Sequence, residues 1–246
     1  MDHAARSKFV MDLEITSEIS PYLKHLLDLS ANPRAAYIDA GSAVSFVAGV
    51  SPQSQRDALN STLLAQLAAN KKFDRENDTV NWYNFYKTVL ENVGWTLQNF
   101  NFTKYNASGA SFTMDKVVLD LIAAIATGDE VATLQATLDA MRALSNKDGR
   151  IVLFESSSSS ASHGNFQIAI ANETGGLLSM RIGASHFSTS QSSTSVLWFN
   201  YSSSQTDLYN GAQTMTLDKQ VYQYVRNDIV SKLGANAINF VKSLDI

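Results

Sequence analysis

The side chains in this sequence that are best suited to chemistry are two histidines, His163 and His186. Each follows a serine near the end of a predicted strand, and antiparallel pairing of those strands would bring the two imidazoles together. With a nearby carboxylate, such a pair could hold a metal ion or act as general acid and base. The spacing matches no known ligand signature, and histidines are common in loops. A hydrolase built on His163 or His186 is one hypothesis, and two solvated loop histidines are the competing interpretation.

Motifs that mark other kinds of active site are missing from the sequence. The chain has no glycine-rich phosphate loop, no His-Glu-x-x-His pair and no Gly-x-Ser-x-Gly nucleophile elbow. It also has no cysteine, which excludes disulfides, thiol catalysis and cysteine-ligated metal. We therefore expect a protein that is not an enzyme and that uses no cofactor and no metal ion.

Charge and hydropathy narrow the classes of partner. The formal net charge is -4 and lysine and arginine form no cluster, so the sequence predicts no nucleic-acid binding. Met1–Asp12 carries charges without an apolar core, so we expect no secretory signal peptide. No apolar run approaches the roughly 20 residues of a spanning helix. The expectation is a soluble protein, stored inside the cell or released without a Sec signal.

Two successive helices are predicted in the middle of the chain, Met114–Thr127 and Glu130–Leu144. Between them, Gly128 can take the left-handed C-terminal position and Asp129 can cap the second helix, which predicts an αα-hairpin. The first helix is apolar around most of its circumference and the second is amphipathic. An inner helix beneath an outer partner would explain this pattern. The same pattern suits a detachable hairpin whose inner helix exchanges protein neighbours for lipid.

The region Arg150–Leu217 is predicted to form a run of antiparallel strands. Its clearest part is a hairpin whose alternating strands flank the turn Asn172–Gly176, where two glycines supply positive φ. Because the strands are mostly apolar on both faces, helices must cover both sides of the sheet. The other predicted strands are Arg150–Phe154, Ser195–Tyr201 and Thr206–Leu217. Serine-rich loops are predicted at Glu155–Ser162 and Ser188–Ser195.

Elements outside this region complete the predicted fold. Residues 1–19 are expected to be a flexible arm or a first strand, and Ala43–Val50 a buried strand. An aromatic stripe in one further helix is expected to pack against the sheet. Further helices are predicted at Pro21–Leu29, Pro52–Asn70, Val80–Val93 and Lys219–Leu244, the last with a break at Gly234. We predict one α/β domain over residues 1–246, in which helix layers that include the αα-hairpin cover both faces of a central antiparallel sheet.

The turn Asn172–Gly176 carries the pattern Asn-x-Thr-Gly-Gly between an alternating strand and an apolar strand. A strand-like run at Val196–Phe199 follows, and paired helices precede the sheet. In these features residues 110–217 resemble the Cyt-type cytolytic δ-endotoxins. The resemblance implies one α/β domain that binds lipid bilayers, displaces its helix layers and oligomerises into pores or detergent-like lesions. A looser similarity is to the Evf-type bacterial virulence proteins, which are also α/β and have no recognised enzymatic motif.

Our leading hypothesis is a non-enzymatic, membrane-active toxin or virulence-type protein that binds the lipid membrane of a target cell and can form homo-oligomers. It rests on the layered pattern, the apolar segment Val117–Ala126 and the resemblance. Trp198, Phe199 and Tyr201 are candidate interfacial anchors, with packing in the core as the competing interpretation for each. The candidate membrane-interacting residues are Val117, Val118, Leu121, Ile122, Ile125, Trp198, Phe199 and Tyr201.

A second hypothesis is a binding module for a fatty acid or a glycan. In that case the serine-, threonine- and asparagine-rich loops would line a cleft together with aromatic residues such as Tyr201 and Tyr209. The hydrolase based on His163 or His186 is the third hypothesis.

Overall fold

The computed structural model describes residues 2–16, 34–97, 101–160, 162–234 and 236–246. Over these ranges the helices are α1 His3–Asp12, α2 Pro52–Lys72, α3 Thr79–Asn92, α4 Met114–Ala123, α5 Gly128–Ala143, α6 Gly149–Ser158, α7 Lys219–Leu233 and α8 Asn236–Phe240. The strands are β1 Ala35–Asp39, β2 Ser42–Phe46, β3 Trp95–Leu97, β4 Thr103–Lys104, β5 Ser111–Phe112, β6 Ser159–Ser160, β7 His163–Thr174, β8 Leu177–Thr189, β9 Tyr201–Ser202, β10 Thr206–Leu217 and β11 Val241–Leu244.

One large sheet forms the middle of the molecule, in the order β11-β1-β2-β7-β8-β10-β3. The short strands β4 and β6 pair with β10 and β7. In the part of the chain that the structure describes, β2 and β7 run parallel and the other neighbours are antiparallel. The predicted antiparallel sheet is therefore confirmed, with one parallel pair inside it.

One face of the sheet is covered by α2 and α3. The Tyr37 hydroxyl on β1 donates to Gln55 Oε1 on α2 at 3.2 Å. The Tyr83 hydroxyl on α3 donates to Asn165 Oδ1 on β7 at 2.6 Å. Behind this layer, α7 packs on α2 and α1 packs on α7. We call this side the α2–α3 face.

The opposite face is covered by α4, α5 and α6. The hydroxyl groups of Ser45 on β2 and Thr137 on α5 lie 2.8 Å apart. The Phe154 ring on α6 meets the Phe166 ring on β7 edge-on, with centroids 6.3 Å apart. Helices therefore cover both sides of the sheet, as the apolar character of both strand faces predicts, and the single-domain α/β fold class is confirmed.

The β7–β8 hairpin has the predicted shape. Its strands are joined by the two-residue loop Gly175-Gly176, whose φ angles are 59° and 81°. Two consecutive positive φ values are typical of a type I′ turn, whose twist suits a hairpin. Because β7 also pairs with β2, and β8 pairs with β10 from Leu178 to Thr189, the β7–β8 hairpin forms the centre of the sheet.

Several predicted elements before the hairpin are also confirmed. Ser51 caps α2 and Pro52 occupies its first turn. Gly94, at φ 110°, follows the last turn of α3. The aromatic stripe of α3 is core, with Trp82 and Tyr86 buried. The strand predicted at Ala43–Val50 is observed as β2, which ends earlier, at Phe46.

The predicted strand Arg150–Phe154 is wrong, because these residues lie in α6. The Asp148 carboxylate accepts a hydrogen bond from Arg150 N at 2.9 Å and so starts a helix there. A short apolar run fits a buried strand and a buried helix turn equally well, and the capping residue decides between them. The predicted loop from Glu155 consequently begins as the last turn of α6 and continues as β6.

The prediction for the N-terminus is also wrong. The sequence predicts an arm or a first strand over residues 1–19, but His3–Asp12 is helical, with Asp2 Oδ1 accepting from Ala5 N at 2.8 Å. Within this helix only Val10 is buried, so the helical periodicity is too weak to recognise. The helix predicted at Pro21–Leu29 lies outside the described residues.

At the C-terminus, the predicted helix Lys219–Leu244 is too long. Gly234 takes a φ of 49° and ends α7 at Leu233. Residues Val241–Leu244 then form β11, which pairs with β1 at the edge of the sheet. Thr206–Leu217 is a strand, β10, as predicted, and β11 is a further strand that the sequence does not predict.

Candidate functional site

The α4–α5 hairpin lies flat on the sheet. α4 contacts β8 and β10, and α5 contacts β2 and β7, so both helices touch the strands directly. The αα-hairpin is confirmed, but the predicted inner helix beneath an outer partner is wrong. α4 ends at Ala123, and its exposed residues Lys116 and Asp120 give it a polar outer side that needs no cover.

α4 approaches β8 closely at Gly183. A Cβ atom at position 183 would lie 3.1 Å from Ile122 Cγ1 and 3.6 Å from Leu121 Cδ2. The missing side chain lets the helix pack directly on the backbone of the strand. A larger residue at this position would therefore push α4 away from the sheet.

The apolar residues of α4 differ in exposure. Val117, Val118 and Ile122 are buried, and Leu121 is half-buried. Ile125 lies in the turn after α4 and is 38% exposed. In this conformation the proposed lipid-contacting stripe is therefore core, and Ile125 is the member that faces solvent.

The turn at the tip of the hairpin is exposed and carries no charge. Residues 123–128 have the sequence Ala-Ala-Ile-Ala-Thr-Gly, and all except Ala126 are exposed. The β7–β8 turn lies at the same end of the sheet, where Leu177 is 51% exposed. Arg181 Nε donates to Ile125 O at 3.5 Å and so places the two turns near each other. This end of the molecule presents apolar side chains to solvent.

A capping box starts α5. Thr127 Oγ1 accepts from Glu130 N at 3.4 Å, and the Glu130 carboxylate accepts from Thr127 N at 2.7 Å. The predicted cap at Asp129 is therefore wrong, and Gly128 lies inside α5 rather than in a left-handed position. Reciprocal capping satisfies two backbone donors that would otherwise be unpaired at the helix start.

Glu130 also joins the hairpin to the sheet. Its Oε1 lies 2.7 Å from Arg181 Nη1 on β8 and accepts from Asn172 Nδ2 on β7 at 2.5 Å. The side chains of Glu130 and Arg181 are 1% and 17% exposed. Breaking such a buried ion pair leaves an uncompensated charge, which is strongly unfavourable. We call Glu130, Arg181 and Asn172 the tip latch.

Residues 195–200 do not form the predicted strand. Ser195 Oγ accepts from Trp198 N at 3.0 Å, and the Glu155 carboxylate accepts from Val196 N at 2.9 Å. Side chains thus satisfy backbone donors that a neighbouring strand would otherwise pair, and residues 196–198 turn. Extended structure begins at Tyr201, the start of β9.

Tyr201 is buried in a cluster of rings. Its hydroxyl donates towards Ser195 O and Val196 O, each at 3.2 Å. Trp198 and Phe199 are half-buried beside it. The rings around Tyr201 are Phe112, Phe187 and Phe199, with centroids 6.0, 5.3 and 4.9 Å away.

The ring cluster lies next to the start of α4. Asp115 N donates to Leu197 O at 3.1 Å, and β5 pairs with β9 through Phe112 and Tyr201. The structure therefore places Trp198, Phe199 and Tyr201 beside the start of α4, although they lie about 80 positions further along the sequence.

His163 and His186 also come together, as strand pairing predicts. Both line a cleft of about 310 Å³ at the opposite end of the β7–β8 hairpin from the tip latch. The cleft lies between the α2–α3 connection and the ends of three strands. Its lining residues are Glu76, Asn77, Asp78, Thr79, Val80, His163, Gly164, His186, Phe187, Ser188, Asp207 and Tyr209.

His186 is held in a fixed orientation. Its ring stacks on Tyr209, with centroids 5.1 Å apart and planes at 6°, and meets Phe102 edge-on at 4.9 Å. Burial lowers the pKa of His186 below its ordinary value of 6.5, because desolvation disfavours the charged imidazolium. The ring is therefore neutral at neutral pH and can both donate and accept hydrogen bonds.

Across the described ranges, no three His, Asp or Glu side chains are grouped so that they could hold a metal ion. Among the helices in the described part of the chain, none combines the length with the apolar character that a bilayer crossing requires.

No protein-family model and no curated protein matches the chain. The solved structures that are similar to it include a δ-endotoxin and the Evf virulence factor. The δ-endotoxin aligns with 83% of this chain and 89% of its own, at 9% identity and a TM-score of 0.44. The Evf virulence factor aligns with 97% of this chain and 89% of its own, at 14% identity and a TM-score of 0.35. At these scores, residue roles must be argued from this chain alone.

Sequence reasoning missed the tip latch and the carboxylates of the cleft. Thr127 and Glu130 form the Thr-x-x-Glu pattern of a capping box, which is a local signal for the start of α5. The pairing of Glu130 with Arg181 has no such signal, because the two residues are 51 positions apart and meet only when the hairpin packs on the sheet.

Proposed function

We propose that the protein is a membrane-active protein of the toxin or virulence type. In this proposal the α4–α5 hairpin leaves the sheet at a lipid surface and lays its apolar side on the bilayer. While the protein is in aqueous solution, the other elements of the α/β fold keep this apolar side buried.

One observation carries the proposal: an exposed, uncharged turn at the hairpin tip is continuous with a buried apolar stripe. Ile125 in this turn can enter an interface without any change in the fold. Behind it lie the buried side chains of both helices, Val118, Ile122, Leu134, Leu138 and Met141. A first contact through the tip would therefore place lipid next to the stripe that the sheet covers.

The energetics make release depend on lipid. Burying one large aliphatic side chain contributes roughly 1.5–3 kcal/mol, so exposing the whole stripe to water would be prohibitively costly. The acyl chains of a lipid bilayer are as apolar as the sheet, so the stripe can move from the sheet to the bilayer without this cost. The tip latch adds a second barrier in water, because Glu130 and Arg181 would have to part.

The dimensions of the hairpin suit a position in the plane of the interface. At 1.5 Å per residue, the 10 residues of α4 extend about 15 Å and the 16 residues of α5 about 24 Å. Each helix has a polar outer side, with Asp120 on α4 and Asp139 on α5 exposed. An amphipathic helix of this kind lies with its apolar side in the boundary between headgroups and acyl chains. Trp198 and Phe199, beside the start of α4, would join the interface as it moves.

Site-specific labelling tests the proposal, because the natural chain has no cysteine to compete with an introduced one. An environment-sensitive fluorophore is attached to Ile125→Cys at the hairpin tip. The matched control is Asn227→Cys, an exposed position on α7 on the other side of the sheet. Each labelled protein is added to vesicles that contain a trapped dye. When the protein releases the dye, we expect the emission of the label at position 125 to shift to the blue and the emission of the label at position 227 to stay unchanged.

Two results would contradict the proposal. One is an intact wild-type protein that releases no dye across neutral and anionic vesicles. The other is dye release during which the label at Ile125 stays in water, because the hairpin tip would then have no part in the lesion.

A further inference from the structure

The cleft around His163 and His186 is separate from the α4–α5 hairpin. His186 lies opposite Asn165 in the β7–β8 pairing, and Asn165 contacts Tyr83 on the α2–α3 face. Gly183, three residues before His186, faces Ile122 on the other side. The cleft and the α4–α5 hairpin therefore occupy opposite faces of the sheet.

Strand register arranges the polar side chains of the cleft in rows. His163 pairs with Ser188, and Ser188 pairs with Asp207, so an imidazole, a hydroxyl and a carboxylate lie side by side across three strands. The next row along brings His186 opposite Tyr209. Side chains in such a row are about 5 Å apart, which is the scale on which a sugar ring presents its hydroxyl groups.

The side chains in these rows are already positioned. The His186 ring is held between Tyr209 and Phe102. Asp207 pairs with Lys104 at 2.6 Å, and Glu76 accepts a hydrogen bond from Ser160. Fixed rings and carboxylates lose little freedom when a ligand binds, which favours binding.

The chemistry of the lining selects the kind of ligand. The described lining residues include three carboxylates, two imidazoles, a serine and a tyrosine. Lys104 neutralises one of the carboxylates, Asp207, which leaves Glu76 and Asp78 to attract a cation. Carboxylates and neutral imidazoles accept hydrogen bonds from hydroxyl groups, and their bonds to a charged ammonium are stronger. The volume of about 310 Å³ lies at the lower end of the roughly 300–1,000 Å³ typical of small-ligand sites.

We propose that this cleft binds a monosaccharide unit, and that a sugar with a free amino group binds more tightly than its acetylated or neutral counterpart. The rings of His186 and Tyr209 would pack against the sugar. His163, Ser188 and Asp207 would hydrogen-bond its hydroxyl groups, and the carboxylates would pair with its ammonium.

Calorimetric titration with four probes tests the proposal: glucosamine, N-acetylglucosamine, glucose and ethanolamine. We expect glucosamine to bind about tenfold more tightly than the two uncharged sugars, since one charge-assisted hydrogen bond accounts for a difference of this size. Ethanolamine, which carries the ammonium without the ring, should bind more weakly than glucosamine. His186→Ala should weaken glucosamine binding about tenfold, and Glu76→Gln should reduce the preference for the amino sugar.

Asp120→Asn, an exposed carboxylate on α4, is the matched control and should leave glucosamine binding unchanged. If His186→Ala does not fold, the half-exposed His163→Gln replaces it. The proposal is overturned if wild type binds none of the sugars, if ethanolamine binds as tightly as glucosamine, or if the cleft variants bind like wild type. Because the cleft and the hairpin are separate, sugar binding should persist in a protein whose hairpin cannot move, so its failure is distinguishable from failure of the membrane proposal.

Discussion

Replacing Arg181 by methionine is expected to lower the free energy of unfolding by about 3 kcal/mol. The substitution leaves Glu130, which is 1% exposed, without its cationic partner. Removing one member of a buried ion pair typically costs 3–5 kcal/mol, because the remaining charge stays in a poorly solvated place. Asn172 and the backbone of Thr127 still bond to Glu130, which puts the expected loss at the lower end. Urea unfolding followed by tryptophan fluorescence measures it.

The double variant Glu130→Gln/Arg181→Met separates charge from packing. It should recover most of the lost stability, because no unpaired charge remains. Lys8→Met is the matched control: its ion pair with Asp12 is exposed, so the loss should stay below about 1 kcal/mol. If Arg181→Met loses no more unfolding free energy than Lys8→Met, the tip latch does not hold the α4–α5 hairpin. If the latch does hold it, Arg181→Met should also release vesicle dye faster than wild type.

Asp39 gives the second large effect, which depends on pH. This residue ends β1, is completely buried beneath α2, and has its Oδ2 2.5 Å from Thr62 Oγ1. Its Oδ1 has no hydrogen-bond partner among the described residues. Burial raises the pKa of Asp39 from 3.8 to about 8, because desolvation disfavours the carboxylate, and the bond to Thr62 offsets only part of this effect.

The sign of the pH dependence follows from proton binding. Between pH 4 and pH 8 the folded protein keeps the Asp39 proton, whereas the unfolded chain releases it. The contribution of Asp39 to the free energy of unfolding therefore falls by about 1.4 kcal/mol for each unit by which the pH rises. This contribution is fully lost above pH 8. Asp39→Asn cannot ionise and should lack this loss. The free energy of unfolding of Asp39→Asn, measured relative to that of wild type, should therefore rise by about 5 kcal/mol between pH 4 and pH 9.

Unfolding free energies of wild type and Asp39→Asn at pH 4, 6, 8 and 9 test this expectation, since the difference between the two proteins isolates one group. For Asp120→Asn, at an exposed position, the unfolding free energy should depend on pH in nearly the same way as that of wild type. A difference between Asp39→Asn and wild type that stays constant with pH would mean that Asp39 is ionised in the folded protein at neutral pH.

Local signals account for the parts of the fold that the sequence predicts correctly. In the β7–β8 hairpin, strict alternation and a double-glycine turn point to the same structure. In α2, a serine cap, a proline in the first turn and a leucine stripe also agree. Where pattern, turn and cap are consistent, one short stretch of sequence is enough to specify its own conformation.

Errors arise where distant residues decide the conformation. Residues 195–200 alternate like a strand, but Glu155 satisfies the backbone of Val196 and makes the chain turn. Val241–Leu244 continues a helical stripe in the sequence, yet Gly234 ends the helix and β1 offers an open edge. Strand β1 itself is five residues long and buried throughout, so it has no alternation to recognise.

The candidate site is predictable to a similar extent. The sequence indicates the apolar stripe of α4 and predicts that His163 and His186 approach each other through strand pairing. It does not indicate that Arg181 meets Glu130, or that Asp207 lies in one row with His163, because those contacts depend on strand register and helix placement.

A disulfide lock tests the central claim that the hairpin must leave the sheet. Gly183 faces Ile122, and a Cβ at position 183 would lie 3.1 Å from Ile122 Cγ1. In a disulfide, each sulfur lies about 3 Å from the Cβ of the other cysteine, so this contact makes Ile122→Cys/Gly183→Cys a suitable pair for a disulfide. The natural chain has no cysteine, so this pair would be the sole disulfide.

The decisive measurement is dye release from vesicles by the double variant, first oxidised and then reduced in the same sample, with the Ile122→Cys single variant as control. We predict that the oxidised double variant releases no dye above background, that reduction restores release to at least the level of the single variant, and that the single variant does not respond to reductant. Equal release by the oxidised and reduced forms would contradict the account, because the protein would then act on membranes with α4 still bound to β8.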